Sequence, residues 1–171
     1  GGAMPAGGNE KKFKDFVVSK FGNSALGGKR TYSSVFDGYE EKVSISVDQS
    51  IFLDGTSILI EIDSGNYAKL LVGQYALLNG MYNGDHSGTL FLVVHCYKST
   101  TKGETKEYSP VRTMKNLNAI QKLNPQMVWM PHAAVTLSQF ESIVSMADSV
   151  EELSASLWGL AGRQMLFSSA K

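Results

Sequence analysis

The chain has 171 residues, which is long enough for one domain of ordinary size with a substantial core. Hydrophobic residues make up 43% of it and charged residues 19%, a balance that excludes an intrinsically disordered chain. The formal net charge is zero, yet residues 1–30 and 98–122 are rich in Lys and Arg, whereas residues 31–97 hold eight acids and two lysines. This distribution indicates either an acidic, metal-binding centre flanked by surfaces for a polyanion or two solvated basic faces.

Cys96 is the single cysteine, so the chain can form no internal disulfide, and no Cys/His cluster has the spacing of a zinc site. No apolar run reaches the roughly 18 residues of a membrane span, and no signal peptide is recognisable. These features predict a protein of a reducing, cytoplasmic compartment without a membrane partner. Residues 1–8, GGAMPAGG, are predicted to be a cloning remnant, which leaves residues 9–171 as a single domain.

Hydrophobic periodicity and turn residues predict helices and strands that alternate along the chain. In chain order the prediction is a helix over 10–21, a Gly/Ser-rich loop over 22–34, strands over 42–53 and 56–63, a helix over 66–79, a loop over 81–88, a strand over 89–99, a polar loop from 100, a helix over 110–122, a strand over 126–130, and helices near 136–147 and 149–161. This order predicts an α/β fold with a mixed central β-sheet and helices on both sides.

The two strands around Asp54-Gly55 are predicted to form a hairpin, because Asp-Gly between β-branched runs is a strong turn signal. With a two-residue turn, Leu53 pairs with Thr56, and the same register places Asp48 directly opposite Glu61. A one-residue slip would break this opposition. The face turned away from the acids is predicted to be core and comprises Val47, Ile51, Leu53, Ile58, Ile60 and Ile62.

Three carboxylates converge on one face of this hairpin, because alternation places Asp63 on the same face as Glu61, and Asp48 lies opposite Glu61. Like charges this close repel each other, and a divalent cation neutralises them best. Ligands that are all oxygen favour Mg²⁺, Mn²⁺ or Ca²⁺ over zinc. A solvated acidic face is the alternative, although Phe52 and Leu59 share the face and indicate that it is partly covered.

The stretch VDQSIFLDGTSILIEID, residues 47–63, resembles the core of the PD-(D/E)XK (restriction-endonuclease-like) nuclease superfamily. In that pattern an Asp begins one strand, a hairpin follows, and Glu-x-Lys ends the next strand. Val47-Asp48 and Glu61-Ile62-Asp63 stand at these places. The next predicted helix carries Gln74 and Tyr75, as in several branches of the superfamily, and the strand TLFLVVHCY follows where that fold expects it. The resemblance covers about residues 40–98 and implies a nuclease with a restriction-endonuclease-like fold.

The chain departs from this pattern at Asp63, which stands in place of the lysine that in the family helps to orient or activate the attacking water. Some members have Glu, Gln or Asp at this position. A lysine can also come from the following helix, where Lys69 is the candidate. Alternatively, the site binds a metal and cleaves poorly or not at all.

The resemblance implies a role for each of five residues. Asp48 and Glu61 would hold one or two Mg²⁺ (or Mn²⁺), which would activate a water and neutralise the scissile phosphate. Asp63 would be a third metal ligand or a base that orients the water. Lys69 would place positive charge at the transition state, and Gln74 would lie at the site. As alternatives, Lys69 is a solvated helix residue and Gln74 is a polar residue on a helix flank.

His95 alternates with Val93 and Tyr97 on an apolar strand, so it is predicted to be a buried, hydrogen-bonded histidine, with a role at the site as the alternative. Basic residues in three other segments could contact a phosphate backbone, with DNA as the expected nucleic acid. They are Lys29, Arg30, Lys98, Lys102, Lys106, Arg112 and Lys115. A homodimer would let two sites cut both strands of a duplex.

Three functions follow from these patterns. The first is a divalent-metal-dependent nuclease domain of the restriction, defence or repair type that hydrolyses phosphodiester bonds in DNA. The second is a catalytically weak or inactive module of the same fold, which binds nucleic acid or mediates assembly. The third is an α/β interaction domain whose acidic hairpin face is simply solvated.

Overall fold

The computed structural model of the protein describes residues 7–169. Residues 1–6 of the predicted cloning remnant lie outside this range, and so do residues 170 and 171. The helices are α1 (Gly8–Phe21), α2 (Ala68–Met81), α3 (Pro110–Leu123), α4 (Leu137–Met146) and α5 (Val150–Ser169), with a short 3₁₀ turn at Asn23–Ala25. The strands are β1 (Arg30–Ser34), β2 (Val43–Val47), β3 (Gln49–Leu53), β4 (Thr56–Asp63), β5 (Thr89–His95), β6 (Lys98–Thr101), β7 (Glu104–Glu107) and β8 (His132–Thr136).

The central sheet has four strands in the order β3-β4-β5-β8. β3 and β4 are antiparallel, whereas β4, β5 and β8 are mutually parallel. The parallel pairs need crossover connections, which α2 and α3 supply. The predicted mixed α/β architecture, with a mixed sheet and helices on both sides, is therefore confirmed.

Alternate residues of β4 and β5 point into two separate cores, as the period of a strand requires. On one face the sheet packs against α1, α4 and α5 through Phe13, Val17, Ile51, Ile58, Ile60, Ile62, Leu90, Leu92, Val94, Phe140, Val144, Leu153 and Leu157. On the other face it packs against α2 and α3 through Val47, Leu59, Leu71, Tyr75, Leu78, Phe91, Val93 and Leu117. Because both faces are covered, β5 is buried along its whole length.

Two strand pairs lie outside the central sheet, and the sequence did not predict β1, β6 or β7. β1 lies in the predicted loop and pairs with β2 along its full length. The strand predicted over 89–99 ends at His95, and β6 begins at Lys98. β6 and β7 form an exposed hairpin that extends into the predicted polar loop, with Lys102 at φ 54° and Gly103 at φ 80° in its turn. Positive φ at both central residues is typical of a type I′ hairpin turn. Lys-Gly allows this turn without having the usual Asn-Gly signature.

The strand predicted over 126–130 was wrong, because the last strand of the sheet begins at His132. Within the predicted segment Val128 is exposed and only Met130 is fully buried. Pairing starts where the Pro131 carbonyl accepts a hydrogen bond from the Phe91 amide, at 2.8 Å. β8 holds two alanines and few β-branched residues, so its extended form depends on pairing with β5 rather than on local preference.

Candidate functional site

The β3–β4 hairpin has the register that its turn predicted. The ladder runs from Leu53 opposite Thr56 to Gln49 opposite Ile60, and Gly55 adopts φ 85° in the turn. A positive φ at this position favours glycine. Beyond the last pair of the ladder come the two acids at the centre of the prediction, one on each side.

Asp48 lies at the point where the chain leaves the central sheet, between the end of β2 and the start of β3. Its carboxylate accepts a hydrogen bond from the Ile62 amide at 2.8 Å, so the side chain supplies a partner for an amide beyond the end of the β3–β4 ladder. β2 diverges here to pair with β1. The prediction for Val47 was therefore wrong, because this residue packs with Leu59 in the core beneath α2 instead of on the opposite face.

Glu61 is half-buried beside Asp48 and is held by α2. The Gln74 side-chain amide donates a 2.7 Å hydrogen bond to the Glu61 carboxylate and a 3.0 Å bond to the Ser46 carbonyl. Burial, and then repulsion by the Asp48 carboxylate, raise the pKa of Glu61 to about 8. Gln74, for which the resemblance implied a place at the site, therefore contacts one member of the predicted acidic pair.

Glu10, an exposed residue in the first turn of α1, is a third acid at this point that the sequence reasoning missed. Its pKa is raised by partial burial, by charge repulsion from Asp48 and by a hydrogen bond to the Asp48 side chain, while the nearby charge of Lys29 opposes the shift. No spacing rule links α1 to the hairpin, so only the packing of α1 against the sheet reveals the contact.

The Asp63 carboxylate makes its hydrogen bonds with His95 and Gly65 and not with the residues around Asp48 and Glu61. One carboxylate oxygen lies 3.1 Å from Nδ1 of His95, and the other accepts a 3.3 Å hydrogen bond from the Gly65 amide. Nε2 of His95 lies 2.8 Å from the hydroxyl of Thr113 on α3. His95 is buried and hydrogen-bonded, as predicted. Asp63 shares a strand face with Glu61, but its carboxylate is engaged by His95 and Gly65.

The predicted basic residues are all exposed. Lys69 lies on α2, and it forms no ion pair with the acids among the described residues. The guanidinium of Arg30 stacks over the Phe52 ring, 4.7 Å from its centroid. The other predicted nucleic-acid contacts lie on three elements: Lys29 just before β1; Lys98, Lys102 and Lys106 on the β6–β7 hairpin; and Arg112 and Lys115 on α3.

Asp48 and Glu61 are the residues here that could hold a cation. Over residues 7–169, no group of three or more His, Cys, Asp or Glu side chains is placed to hold a metal ion. Within the same range, neither Asp48 nor Glu61 forms an ion pair with a basic side chain. Mg²⁺ keeps several waters and is commonly bound by one or two carboxylates together with substrate phosphates. Two adjoining carboxylates without a cationic partner fit that mode of binding.

Comparisons with protein-family models, curated proteins and solved structures gave no match to this chain. Of the helices in the described part of the chain, none combines the length and the apolar character that crossing a bilayer needs.

Proposed function

We propose that the protein is a divalent-metal-dependent nuclease domain of the restriction-endonuclease-like type, acting on phosphodiester bonds in DNA. The observation that supports this most is the Asp48–Glu61 pair, two adjoining carboxylates at the end of the β3–β4 ladder with no basic partner among the described residues. A fold that only needed stability would not favour such a pair, because each charge disfavours the other. A bound cation would offset that repulsion.

The residues of this chain would divide the work as follows. Asp48 and Glu61 would bind Mg²⁺ or Mn²⁺, and Gln74 would hold the Glu61 carboxylate in place. The bound cation would supply a water of lowered pKa and positive charge against the scissile phosphate. Asp63 would orient the attacking water. The water oxygen would form a bond to phosphorus while the bond to one sugar oxygen breaks.

Positive charge for the phosphate would come from the surface. Lys69 extends from the helix that follows the acidic strand, and Lys29 lies close enough to Glu10 to oppose the rise in the pKa of that acid. The lysines of the β6–β7 hairpin would contact the phosphate backbone at a distance from the acids.

A second candidate function has one observation in its favour. The Asp63 carboxylate is engaged by His95 and by the Gly65 amide, and this residue stands where the superfamily pattern has its lysine. A domain with this arrangement could bind nucleic acid through its basic residues, or mediate assembly, without cleaving.

A cleavage assay tests the proposal. Supercoiled plasmid, single-stranded DNA and RNA are incubated with the wild type and with Asp48→Asn and Glu61→Gln, each with Mg²⁺, Mn²⁺ or EDTA. We expect the wild type to cleave DNA with either metal and not with EDTA. The cleavage rate should fall by at least about 100-fold in both variants. Glu151→Gln, which neutralises an exposed acid in the first turn of α5, is the matched control and should cleave as the wild type does.

The outcomes separate the alternatives. Undiminished cleavage by both acid variants would contradict the site. Binding of DNA without cleavage under any metal would favour the second candidate. Calorimetry that detects neither Mn²⁺ nor Mg²⁺ binding, together with no binding of nucleic acid, would leave an interaction domain with a solvated acidic pair.

A further inference from the structure

A line of three hydrogen-bonded polar side chains runs from the central sheet into α3. It joins Asp63 at the end of β4, His95 at the end of β5 and Thr113 on α3. Asp63 and His95 are partners in the parallel β4–β5 register, so their side chains point to the same face. The relative exposures are 9% for Asp63, 1% for His95 and 0% for Thr113.

Such a buried polar line is costly unless every member is satisfied, and here the partners are in place. Both carboxylate oxygens of Asp63 and both ring nitrogens of His95 have hydrogen-bond partners. The ring of Tyr108 covers His95, with the two centroids 4.5 Å apart. The arrangement therefore fixes the orientation of the imidazole from two sides and through its face.

The order carboxylate, imidazole, hydroxyl is also that of a hydrolytic triad. Thr113 cannot serve as its nucleophile, because a side chain with no exposed surface cannot meet a substrate. The end of the line nearest the surface is Asp63, with 9% relative exposure, and its strand face also carries Glu61. His95 and Thr113 can therefore act on a substrate only through that carboxylate.

We infer that His95 is a positioning residue for Asp63 in the proposed nuclease site, and that Thr113 sets the orientation and tautomer of His95. When the Thr113 hydroxyl donates to Nε2, the proton of the neutral ring resides on Nδ1, which then donates to the Asp63 carboxylate. The carboxylate is thereby held in one rotamer on the strand face that it shares with Glu61, from which it would orient the attacking water. This inference rests on the proposed function.

Two substitutions of His95 separate positioning from packing. In His95→Asn the side-chain amide nitrogen lies near the place of Nδ1, so it can still donate to Asp63. In His95→Gln the amide lies near the place of Nε2, so it keeps its bond to Thr113 and no longer reaches Asp63. Both variants remove the ring, so both remove the stacking on Tyr108 to the same degree.

The measurement is kcat and KM for metal-dependent DNA cleavage, with thermal unfolding of each variant as a check on folding. We expect His95→Asn to retain kcat within about threefold, and His95→Gln to lose about 10–100-fold in kcat with KM unchanged, as Asp63→Asn does. Thr113→Val should lose less kcat than His95→Gln does. Thr113→Ser, which keeps the hydroxyl, should retain the kcat of the wild type.

A double variant makes the test independent of small losses in stability. His95→Gln should slow Asp63→Asn no further, because the ring would act only through that carboxylate. Additive losses in the double variant, or equal kcat values for His95→Asn and His95→Gln, would overturn the inference while leaving the nuclease proposal intact. A wild type that does not cleave overturns the proposed function and this inference with it.

Discussion

Glu61 is the residue at which the stability of the fold and the proposed binding of a cation place opposite demands on one side chain. It is half-buried, and it lies beside Asp48 without a basic partner among the described residues. Burial and the neighbouring charge raise its pKa to about 8 from the ordinary value of 4.5. When the fold disfavours the ionised form of an acid, ionisation of that acid lowers the free energy of unfolding, unless a ligand stabilises the ionised form. Glu61 therefore links stability, pH and cation binding in one side chain.

Glu61→Gln is expected to stabilise the protein at alkaline pH. The folded wild type keeps the proton of Glu61 up to about pH 8, whereas the unfolded chain loses it near pH 4.5. The stability that the raised pKa of Glu61 contributes to the folded state is therefore fully present below pH 4.5 and is lost as pH rises through 8. Glutamine resembles the protonated acid, so thermal unfolding should give equal stabilities at about pH 4.5 and a variant more stable by a few kcal/mol at about pH 9. A difference independent of pH would contradict the assignment.

Addition of Mn²⁺ should stabilise the wild type but not the variants that lack one of the two acids. A cation bound only by the folded state stabilises it by mass action, and it requires Glu61 to be ionised. At about pH 8, millimolar Mn²⁺ should raise the melting temperature of the wild type and of Glu151→Gln, but not that of Glu61→Gln or Asp48→Asn. An equal shift in all four proteins would indicate that the metal binds elsewhere.

At the scale of elements, the β3–β4 hairpin is what brings the acids together. Its register depends on the two-residue turn at Asp54-Gly55, and the bend at Asp48 ends the ladder just before Glu61. On the other side of this bend, β2 pairs with β1, and the β1–β2 pair packs over α2. The site therefore lies where three structures meet: the end of the hairpin, the start of α1 through Glu10, and the flank of α2 through Gln74.

Two glycine substitutions should act in opposite directions. Gly55→Ala places a side chain on a residue at φ 85°, with open space around the added carbon, so only backbone strain opposes it. We expect a loss of about 1–2 kcal/mol in the free energy of unfolding. Gly73→Ala, in the middle of α2 and also with open space, should gain about 0.5–1 kcal/mol. Chemical denaturation measures both, and a gain for Gly55→Ala would mean that the turn is not as described.

At the scale of the whole molecule, a neutral formal charge conceals a separation of charge. The acids of the candidate site lie at one end of the hairpin, while the exposed lysines of β6 and β7 project on a separate two-stranded ribbon. A ribbon with every residue exposed adds nothing to either core. The ribbon also carries Glu104 and Glu107, and Lys98 lies opposite Glu107. Contact of its exposed lysines with a polyanion is the property that the proposed function needs.

The salt dependence of DNA binding tests this arrangement. Replacement of Lys98, Lys102 and Lys106 by Ala should weaken binding for all sequences alike. It should also make the plot of log K against log salt less steep by about 0.9 for each phosphate that these lysines neutralise in the wild type. Arg163→Ala on α5, which neutralises an exposed basic residue away from the ribbon, is the control and should leave the slope unchanged. An unchanged slope for the triple variant would remove the ribbon from the proposed interface.

Hydrophobic periodicity in the sequence predicted the helices and most of the central strands, but neither the place of β8 nor the break at Asp48. The Asp54-Gly55 turn predicted that Asp48 and Glu61 lie close together at the end of the hairpin. Periodicity and turn chemistry are local, so one chain records them directly. Gln74 was expected at the site from the family resemblance alone. The contact of Glu10 with Asp48, and the hydrogen-bonded line from Asp63 through His95 to Thr113, are visible in the folded structure alone. These contacts join residues far apart in the chain, and they depend on how α1 and α3 pack on the sheet, which no spacing rule encodes.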